Sequence, residues 1–142
     1  MNKVTDILLR KSTGPITVKP DTTVMDALKI MADKNIGSVI VMKDEQYLGI
    51  VTERDYSRKV LLKGKSSTNT PVSDIMSPGL PHLKPDDSIE HCMTLMTSKN
   101  IRYLPVFEND VLTGIISMSD VVKQTILVQQ ETINQLEHYI HQ

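Results

Sequence analysis

The chain contains an internal repeat with a constant offset of 65 residues. Residues 18–55 align with residues 83–120 without a gap, and eleven of the 38 aligned pairs are identical. The shared motifs are Lys-Pro-Asp, Lys-Asn-Ile and Gly-Ile-[Val/Ile]-[Thr/Ser]-x-x-Asp. A repeat of this kind indicates duplicated structural units, and half of 142 residues would fold only marginally alone. The sequence therefore predicts two repeats packed on each other as a pseudo-two-fold pair.

Each repeat has the pattern strand, helix, strand, strand, helix. In the first repeat, Ile16 to Val18 is a short β-rich run, and apolar residues then recur at helical spacing. Residues 37–42 and 47–51 form the two arms of a hairpin, and a helix begins at about Glu53. The fold class is therefore α/β (α+β), with tandem β-α-β-β-α repeats. The apolar helical face of the first repeat comprises Val24, Ala27, Leu28 and Met31.

The matching helical face of the second repeat contains the single cysteine. Ile89, Cys92, Met93 and Met96 occupy the positions of that face, which predicts a buried core thiol rather than a nucleophile. One cysteine excludes an internal disulfide and is typical of a reducing compartment. No segment has the pattern of a signal peptide or a membrane span, so we expect a cytoplasmic protein.

The repeat boundaries follow from composition. Residues 1–64 form the first repeat, and 65–71 are a linker rich in turn-forming residues. Residues 72–128 form the second repeat, and 129–142 extend its last helix. A net charge of −1 with both signs interspersed predicts neither a nucleic-acid nor a membrane partner.

The last helix carries a weak heptad pattern. Ile126, Ile133 and Ile140 recur every seven residues, with Leu136 between the last two. This pattern is compatible with dimerisation or with docking on the module itself. His138 and His141 share a face at i, i+3, but no third ligand is evident, so a solvated helix end is favoured over a metal site. No arrangement of catalytic residues is evident either, so we expect no catalytic residues, no bound metal and no enzyme activity.

Two hydroxyl–carboxylate pairs follow the hairpins. Thr52 and Asp55 in the first repeat match Ser117 and Asp120 in the second. Such a pair at a helix start can form a capping box, in which each side chain bonds the other residue's backbone N–H. It can also bind a ligand, because a carboxylate at this place accepts hydrogen bonds from two vicinal ribose hydroxyls. The two interpretations are compatible.

The ordered set of motifs, present in duplicate, resembles the cystathionine-β-synthase (CBS) domain. Two such repeats in one chain are similar to the arrangement called a Bateman module. The segment 49–60, Gly-Ile-Val-Thr-Glu-Arg-Asp-Tyr-Ser-Arg-Lys-Val, is especially similar to stand-alone two-repeat members. The resemblance implies adenine-nucleotide binding in two clefts, each combining residues of both repeats.

Carried over by position, the resemblance implies two sets of binding residues. Asp55 would hold the ribose, Thr52 would lie near the ribose or phosphate, and Ile101 would contact the adenine. The first set comprises Thr52, Arg54, Asp55, Pro81, Ile101 and Arg102. The second comprises Ser117, Ser119, Asp120, Ile16, Ile36 and Gly37.

The two sets differ in charge. The first contains two guanidinium groups, which suit phosphate oxygens, and the second has Ser119 and Gly37 at the matching positions. We therefore predict that the first set binds phosphorylated nucleotides more tightly. Arg54 and Arg102 could instead be solvated surface charges, and Arg58 and Lys59 are interpreted as ordinary charges of a helix face.

The resemblance implies a regulatory module for an adenosine-containing ligand and no obligatory cofactor. AMP, ADP or ATP come first, with AMP favoured, followed by NAD or S-adenosylmethionine. It also implies a homodimer and a regulated protein whose identity the sequence does not give. The alternative is a ligand-free structural or interaction module that uses its surface or its last helix.

Overall fold

The computed structural model of the chain describes residues 1–11 and 14–141. Helix α1 is followed by strand β1, helix α2, the hairpin β2–β3 and helix α3, which continues as a π-helical turn at Ser57–Leu61. A 3-10 turn at Val72–Asp74 precedes helix α4, the hairpin β4–β5 and helix α5. The bounds are α1 Val4–Arg10, β1 Thr17–Val18, α2 Val24–Lys34, β2 Ser38–Lys43, β3 Gln46–Thr52, α3 Glu53–Tyr56, α4 Ile89–Lys99, β4 Tyr103–Glu108, β5 Val111–Ser117 and α5 Met118–Ile140.

The chain forms two compact units. The first unit is Pro15–Leu80, and the second unit combines Met1–Gly14 with Pro81–Gln142. Helix α1 thus belongs to the second unit, although it lies within the first sequence repeat, residues 1–64. Backbone hydrogen bonds fix it there: the N–H of Val4 donates to the carbonyl of Asp87 at 2.9 Å.

The 3-10 turn shows the converse arrangement. The N–H of Val72 donates to the carbonyl of Thr22 at 2.8 Å, so the turn is part of the first unit. The first segment of each sequence repeat therefore packs with the remainder of the other repeat. The repeat boundaries describe the duplication, whereas the compact units describe where the chain packs.

Both hairpins have the same construction. In each, a two-residue loop connects antiparallel strands, and the loop residues have positive φ: 50° and 66° at Asp44 and Glu45, 51° and 64° at Asn109 and Asp110. Two positive φ values give the turn the twist that a tight hairpin needs. Both hairpins also have a register shift at the same point, after Val41 and after Val106.

The first strand is shorter in the second repeat than the repeat pattern predicts. In the first unit, β1 pairs in parallel with β2, with Thr17 opposite Ile40. In the second, only an isolated bridge joins Leu83 to Val106. The physical reason lies in β4: the N–H of Ile40 donates to the carbonyl of Ile16 at 2.9 Å, whereas its counterpart Pro105 has no N–H to donate.

The capping residues explain much of the sequence identity around α2 and α4. Thr23 and Ser88 accept a hydrogen bond from the third helical N–H of these helices, as N-caps do. Asn35 and Asn100 end them with φ values of 54° and 53°. Asparagine tolerates this left-handed conformation better than most residues, which accounts for the repeated Lys-Asn-Ile.

Each unit has its own apolar core. The predicted helical faces are largely confirmed: Ala27 and Cys92 are both fully buried, whereas Met93 is 36% exposed. The first core includes Val18, Val24, Ala27, Met31, Val39, Val41, Val51, Val60, Val72 and Ile75. The second includes Val4, Ile7, Leu83, Ile89, Cys92, Met96, Leu104, Val106, Ile116 and Val121.

The repeated glycine of β3 and β5 offers a matched test of packing. A Cβ at Gly49 would lie 2.9 Å from the carbonyl oxygen of Ser77, which is backbone. A Cβ at Gly114 would meet the Leu8 side chain, which can change rotamer. We expect Gly49→Ala to lower the free energy of unfolding by about 2–3 kcal/mol, and Gly114→Ala to cost about half of that. Urea denaturation measures both, and an equal or larger cost for Gly114→Ala would contradict this packing.

Candidate functional site

The hydroxyl–carboxylate pairs lie where each hairpin passes into a helix. We call Thr52–Asp55 the first turn and Ser117–Asp120 the second turn. In the first, Asp55 Oδ2 accepts from the Thr52 N–H at 2.9 Å and from its hydroxyl at 3.0 Å. The Asp55 N–H in return donates to Thr52 Oγ1 at 3.1 Å. The capping-box interpretation is therefore confirmed for the first turn.

The second turn has the same geometry. Asp120 Oδ2 accepts from the Ser117 N–H at 2.9 Å, and the Asp120 N–H donates to Ser117 Oγ at 3.0 Å. Both carboxylates are largely buried, with 13% of the Asp55 side chain and 18% of the Asp120 side chain exposed. Each acid is thus held in one orientation at the first turn of a helix, where helix-start N–H groups favour negative charge.

Backbone hydrogen bonds join each turn to the residue just before the first strand of the same hairpin, β2 or β4. The N–H of Glu53 donates to the carbonyl of Gly37 at 3.1 Å, and the N–H of Met118 donates to that of Arg102 at 2.8 Å. Gly37 thus lies beside the first turn and Arg102 beside the second. The predicted grouping of each with the turn of the other repeat stays a prediction.

The predicted site residues divide evenly between the two units. Each unit contains one turn together with a trio of residues that were assigned by position to the other set. The first unit contains Ile16, Ile36, Gly37, Thr52, Arg54 and Asp55, and the second contains Pro81, Ile101, Arg102, Ser117, Ser119 and Asp120. Arg102 and Ser119 are exposed, and Arg54 is half-buried.

Lys59 is a charge of the helix face, as interpreted from the sequence, and it also contacts the first turn. Its Nζ lies 3.1 Å from Asp55 Oδ1 and donates to the carbonyl oxygen of Ile75 at 2.9 Å. The sequence contained a signal for this ion pair, because residues four apart on a helix face each other.

Lys11 forms the equivalent ion pair at the second turn. Its Nζ lies 2.9 Å from Asp120 Oδ2 and also donates to the carbonyl oxygen of Ile115 at 2.9 Å. The burial of Asp120 acts to raise its pKa, whereas the hydrogen bonds from Lys11 and from the Ser117 N–H lower it. The net pKa of Asp120 is below its usual value. No local pattern predicts this pair, because the two residues are 109 positions apart.

A comparison of the two repeats explains why Lys59 and Lys11 come from different segments of the chain. The second-repeat counterpart of Lys59 is Gln124, which is only 2% exposed. Its amide donates to the carbonyl oxygen of Met1 at 2.7 Å, so this helix position now anchors the N-terminus. A lysine from the segment after α1 takes its place beside Asp120. The second turn therefore has a cation even though Ser119 replaces Arg54.

The cysteine has a structural role, and the described residues contain no group of side chains suited to bind a metal ion. Cys92 is fully buried, and burial, followed by the charge of Asp87, raises the pKa of its thiol to about 11, as expected of a core cysteine. Among residues 1–11 and 14–141, no three His, Cys, Asp or Glu side chains are grouped as metal ligands would be. None of the described helices is long and apolar enough to cross a membrane.

Comparison with known proteins identifies the family. A model of the CBS domain family matches residues 4–61 and 72–125, one match for each sequence repeat. The chain therefore belongs to the CBS domain family and contains two CBS repeats. A pair of such domains is a regulatory module.

Three relatives are informative. The mitochondrial CBS domain-containing protein CBSX3 of Arabidopsis thaliana is 39% identical over 84% of this chain, which spans 61% of that protein's length. A protein with CBS domains from Burkholderia ambifaria has a solved structure with a TM-score of 0.84 and 40% identity, covering 88% of this chain and 94% of its own. The CBS domain pair of the protein MJ0100, solved with 5′-methylthioadenosine and S-adenosyl-L-methionine, has a TM-score of 0.77 and 26% identity, covering 88% and 96%. Some other relatives are enzymes that contain the matching segment within a longer chain.

The contact between Lys11 and Asp120 can be tested by its pH dependence. We expect Lys11→Met and Asp120→Asn to show a coupling energy of about 1 kcal/mol in a double-mutant cycle at pH 7. The pKa of Asp120 is lowered by folding from 3.8, so its contribution is complete well above that value. It is lost as the pH falls through the lower folded-state pKa.

Urea denaturation at pH 7 and pH 3 measures this coupling. The exposed Lys84→Met in place of Lys11→Met is the matched control, and it should show no coupling with Asp120→Asn. A coupling that is absent at pH 7, or that grows toward pH 3, would be inconsistent with the ion pair.

Proposed function

We propose that the chain is a regulatory module that binds an adenosine-containing ligand at the two turns. AMP is the first candidate, followed by ADP and ATP and then by NAD and S-adenosylmethionine. The observation that carries the proposal is the oriented, largely buried carboxylate at a helix start, present twice at the same repeat offset. The adenosine derivatives bound by the MJ0100 domain pair support this ligand class.

Asp55 and Asp120 are the proposed acceptors for ribose hydroxyls. An ionised carboxylate has about four acceptor positions, and two vicinal hydroxyls require two of them. At Asp120 the hydrogen bonds from Ser117 and Lys11 both end on Oδ2, which leaves Oδ1 to accept from a ribose. Asp55 already accepts two hydrogen bonds on Oδ2 and forms an ion pair through Oδ1. A ribose there has to displace either the Thr52 hydroxyl or Lys59.

Phosphate binding is the proposed role of the cationic groups. Arg54 adjoins Asp55, and its guanidinium can contact phosphate oxygens in a bidentate manner, which suits the first turn to phosphorylated ligands. Lys11 is the cation of the second turn, and its ammonium group is a point charge that lacks the planar fork of donors of a guanidinium. We therefore keep the prediction that phosphate contributes more to binding at the first turn.

Ligand binding would regulate a partner by favouring one arrangement of the module. Such control requires that the ligand bind two states of the protein with different affinity. The regulated partner is a protein, and a homodimer is the proposed form of the module. The proposed compartment is the cytoplasm, supported by the single buried cysteine, and the proposed module has no catalytic activity of its own.

A ligand-free structural or interaction module is the second candidate. The observation that favours it is that the chain's own lysines already neutralise both carboxylates. In that case the turns serve only to cap the helices and to tie them to neighbouring segments. Ligand titration separates the two candidates.

Thermal stability with and without ligand is the first test. We expect millimolar AMP to raise the Tm, because a ligand that binds only the native state stabilises it by about 2.7 kcal/mol at a hundredfold excess over Kd. Asp55→Ala and Asp120→Ala should each abolish high-affinity binding at one turn, with a tenfold or greater loss of affinity there. The repeated and exposed Asp21 and Asp86 provide matched control substitutions to Ala, which should leave AMP binding unchanged. No shift with any adenosine compound at millimolar concentration would reject the ligand-binding proposal.

A comparison of AMP with adenosine tests the difference between the turns. In Asp120→Ala, which retains the first turn, we expect AMP to bind at least tenfold more tightly than adenosine, because Arg54 contacts the phosphate. In Asp55→Ala the ratio should be smaller. Adding Arg54→Met to Asp120→Ala should remove the preference without weakening adenosine binding, with Arg58→Met as the control. Isothermal titration measures these ratios, and equal ratios at both turns would disprove the asymmetry.

A further inference from the structure

The second half of α5 extends away from the core of its unit. Val121 and Gln124 anchor the helix, and every described residue from Gln129 to His141 is exposed. This exposed part contains little more than three turns. Isolated helices of that length are marginal in water, so a covering partner would stabilise this half of α5.

The exposed residues form one continuous stripe with a heptad pattern. The spacing alternates between four and three residues, as at the a and d positions of a coiled coil. The apolar members are between 48% and 72% exposed, and one member is polar. The α5 stripe comprises Val122, Ile126, Gln129, Ile133, Leu136 and Ile140.

We propose that the α5 stripe packs antiparallel against the same stripe of a second copy of this chain. In this arrangement the stripe side chains of the two copies meet in three different pairs, and each pair occurs twice. Ile126 faces Leu136 of the second copy, Ile133 faces Gln129, and Ile140 faces Val122. Each aliphatic side chain at an a position then packs on a d residue.

Charge complementarity selects the antiparallel orientation and the second copy as occupant. The residues flanking the stripe include one cation, Lys123, and one anion, Glu137, at opposite ends of it. Neither has an ion pair within residues 1–11 and 14–141. In the antiparallel arrangement Lys123 flanks Glu137 of the second copy, and the pair forms twice. In a parallel arrangement Glu137 would flank Thr132 and no opposite charges would meet.

The helix dipole supports the same orientation. Glu137 lies in the last turn of α5, where a negative charge is unfavourable next to the carbonyl end of its own helix. Lys123 of an antiparallel second copy would compensate that charge. The stripe spans roughly 27 Å at 1.5 Å per residue, which is short for a free coiled coil. Because the core of the unit anchors the start of α5, less conformational freedom is lost on pairing.

The inference is independent of the ligand proposal, because the stripe begins after the second turn and uses none of its residues. Light scattering of the full chain gives its first test. We expect a mass twice the 16.0 kDa of the chain at micromolar concentration. Ile133→Asp should weaken association at least a hundredfold, and Glu131→Lys on the opposite helix face should not. Because Ile133 is exposed, circular dichroism should show that both variants remain folded. A monomeric wild type, or a dimer that Ile133→Asp leaves intact, would overturn the proposal.

Charge exchange tests the specific pairing. Lys123→Glu and Glu137→Lys should each weaken association about tenfold, because each places like charges together twice. The double variant Lys123→Glu/Glu137→Lys restores both pairs and should regain the wild-type dissociation constant. If the double variant is as weak as the single variants, these two residues do not pair.

Disulfide crosslinking tests the orientation. In an oxidised mixture of Ile126→Cys and size-tagged Leu136→Cys proteins, the antiparallel arrangement predicts a crosslinked species that contains both. A parallel arrangement would give only crosslinks between identical chains. Native Cys92 does not compete, because it is fully buried. Absence of the mixed species would overturn the antiparallel interface.

Discussion

The two turns depend on one interaction, the hydrogen bond between the aspartate carboxylate and the backbone N–H of the hydroxyl residue three positions earlier. This bond fixes the start of the helix that follows each hairpin and orients the carboxylate. The oriented carboxylate then holds a lysine, which also binds a backbone carbonyl group in a different segment. Helix start, segment packing and candidate ligand chemistry therefore depend on the same two side chains, Asp55 and Asp120.

The duplication preserves this interaction but varies the charges around it. The first turn obtains its lysine from the same helix, four residues later, and has Arg54 beside it. The second obtains Lys11 from the segment that follows α1, because Gln124 occupies the equivalent helix position in a buried setting. A neutral amide is better suited to that burial than an ammonium group. The two turns thus have the same backbone geometry, but their lysines come from different segments of the chain.

Local patterns predicted most of the fold. The hairpins, the helix starts at Glu53 and Met118, and the long last helix all follow from turn chemistry and apolar spacing, which act over a few residues. The packing of α1 with the second unit was not predictable. The backbone groups that pair with α1 in the second repeat have equivalents in the first repeat, and the sequence does not show which of the two α1 contacts. The reduction of the second repeat's first strand to a bridge at Leu83 follows from Pro105, which lacks the N–H that its counterpart Ile40 donates to the carbonyl of Ile16.

The candidate site was predictable only in part. The two aspartates and their hydroxyl partners followed from the repeated motif, and the ion pair of Lys59 could have followed from helical spacing. Lys11 had no sequence signal, because its contact with Asp120 exists only after the two segments pack together. The two CBS repeats share the scaffold, whereas the cations beside their turns come from different segments of the chain.

The most direct test of the central claim is carboxyl-carbon NMR of ¹³C-aspartate-labelled protein during titration with AMP. If the two carboxylates bind ribose hydroxyls, the signals of Asp55 and Asp120 will shift and saturate, and those of Asp21 and Asp86 will stay in place. If millimolar AMP leaves the signals of Asp55 and Asp120 unchanged, the carboxylates are caps and lysine partners only.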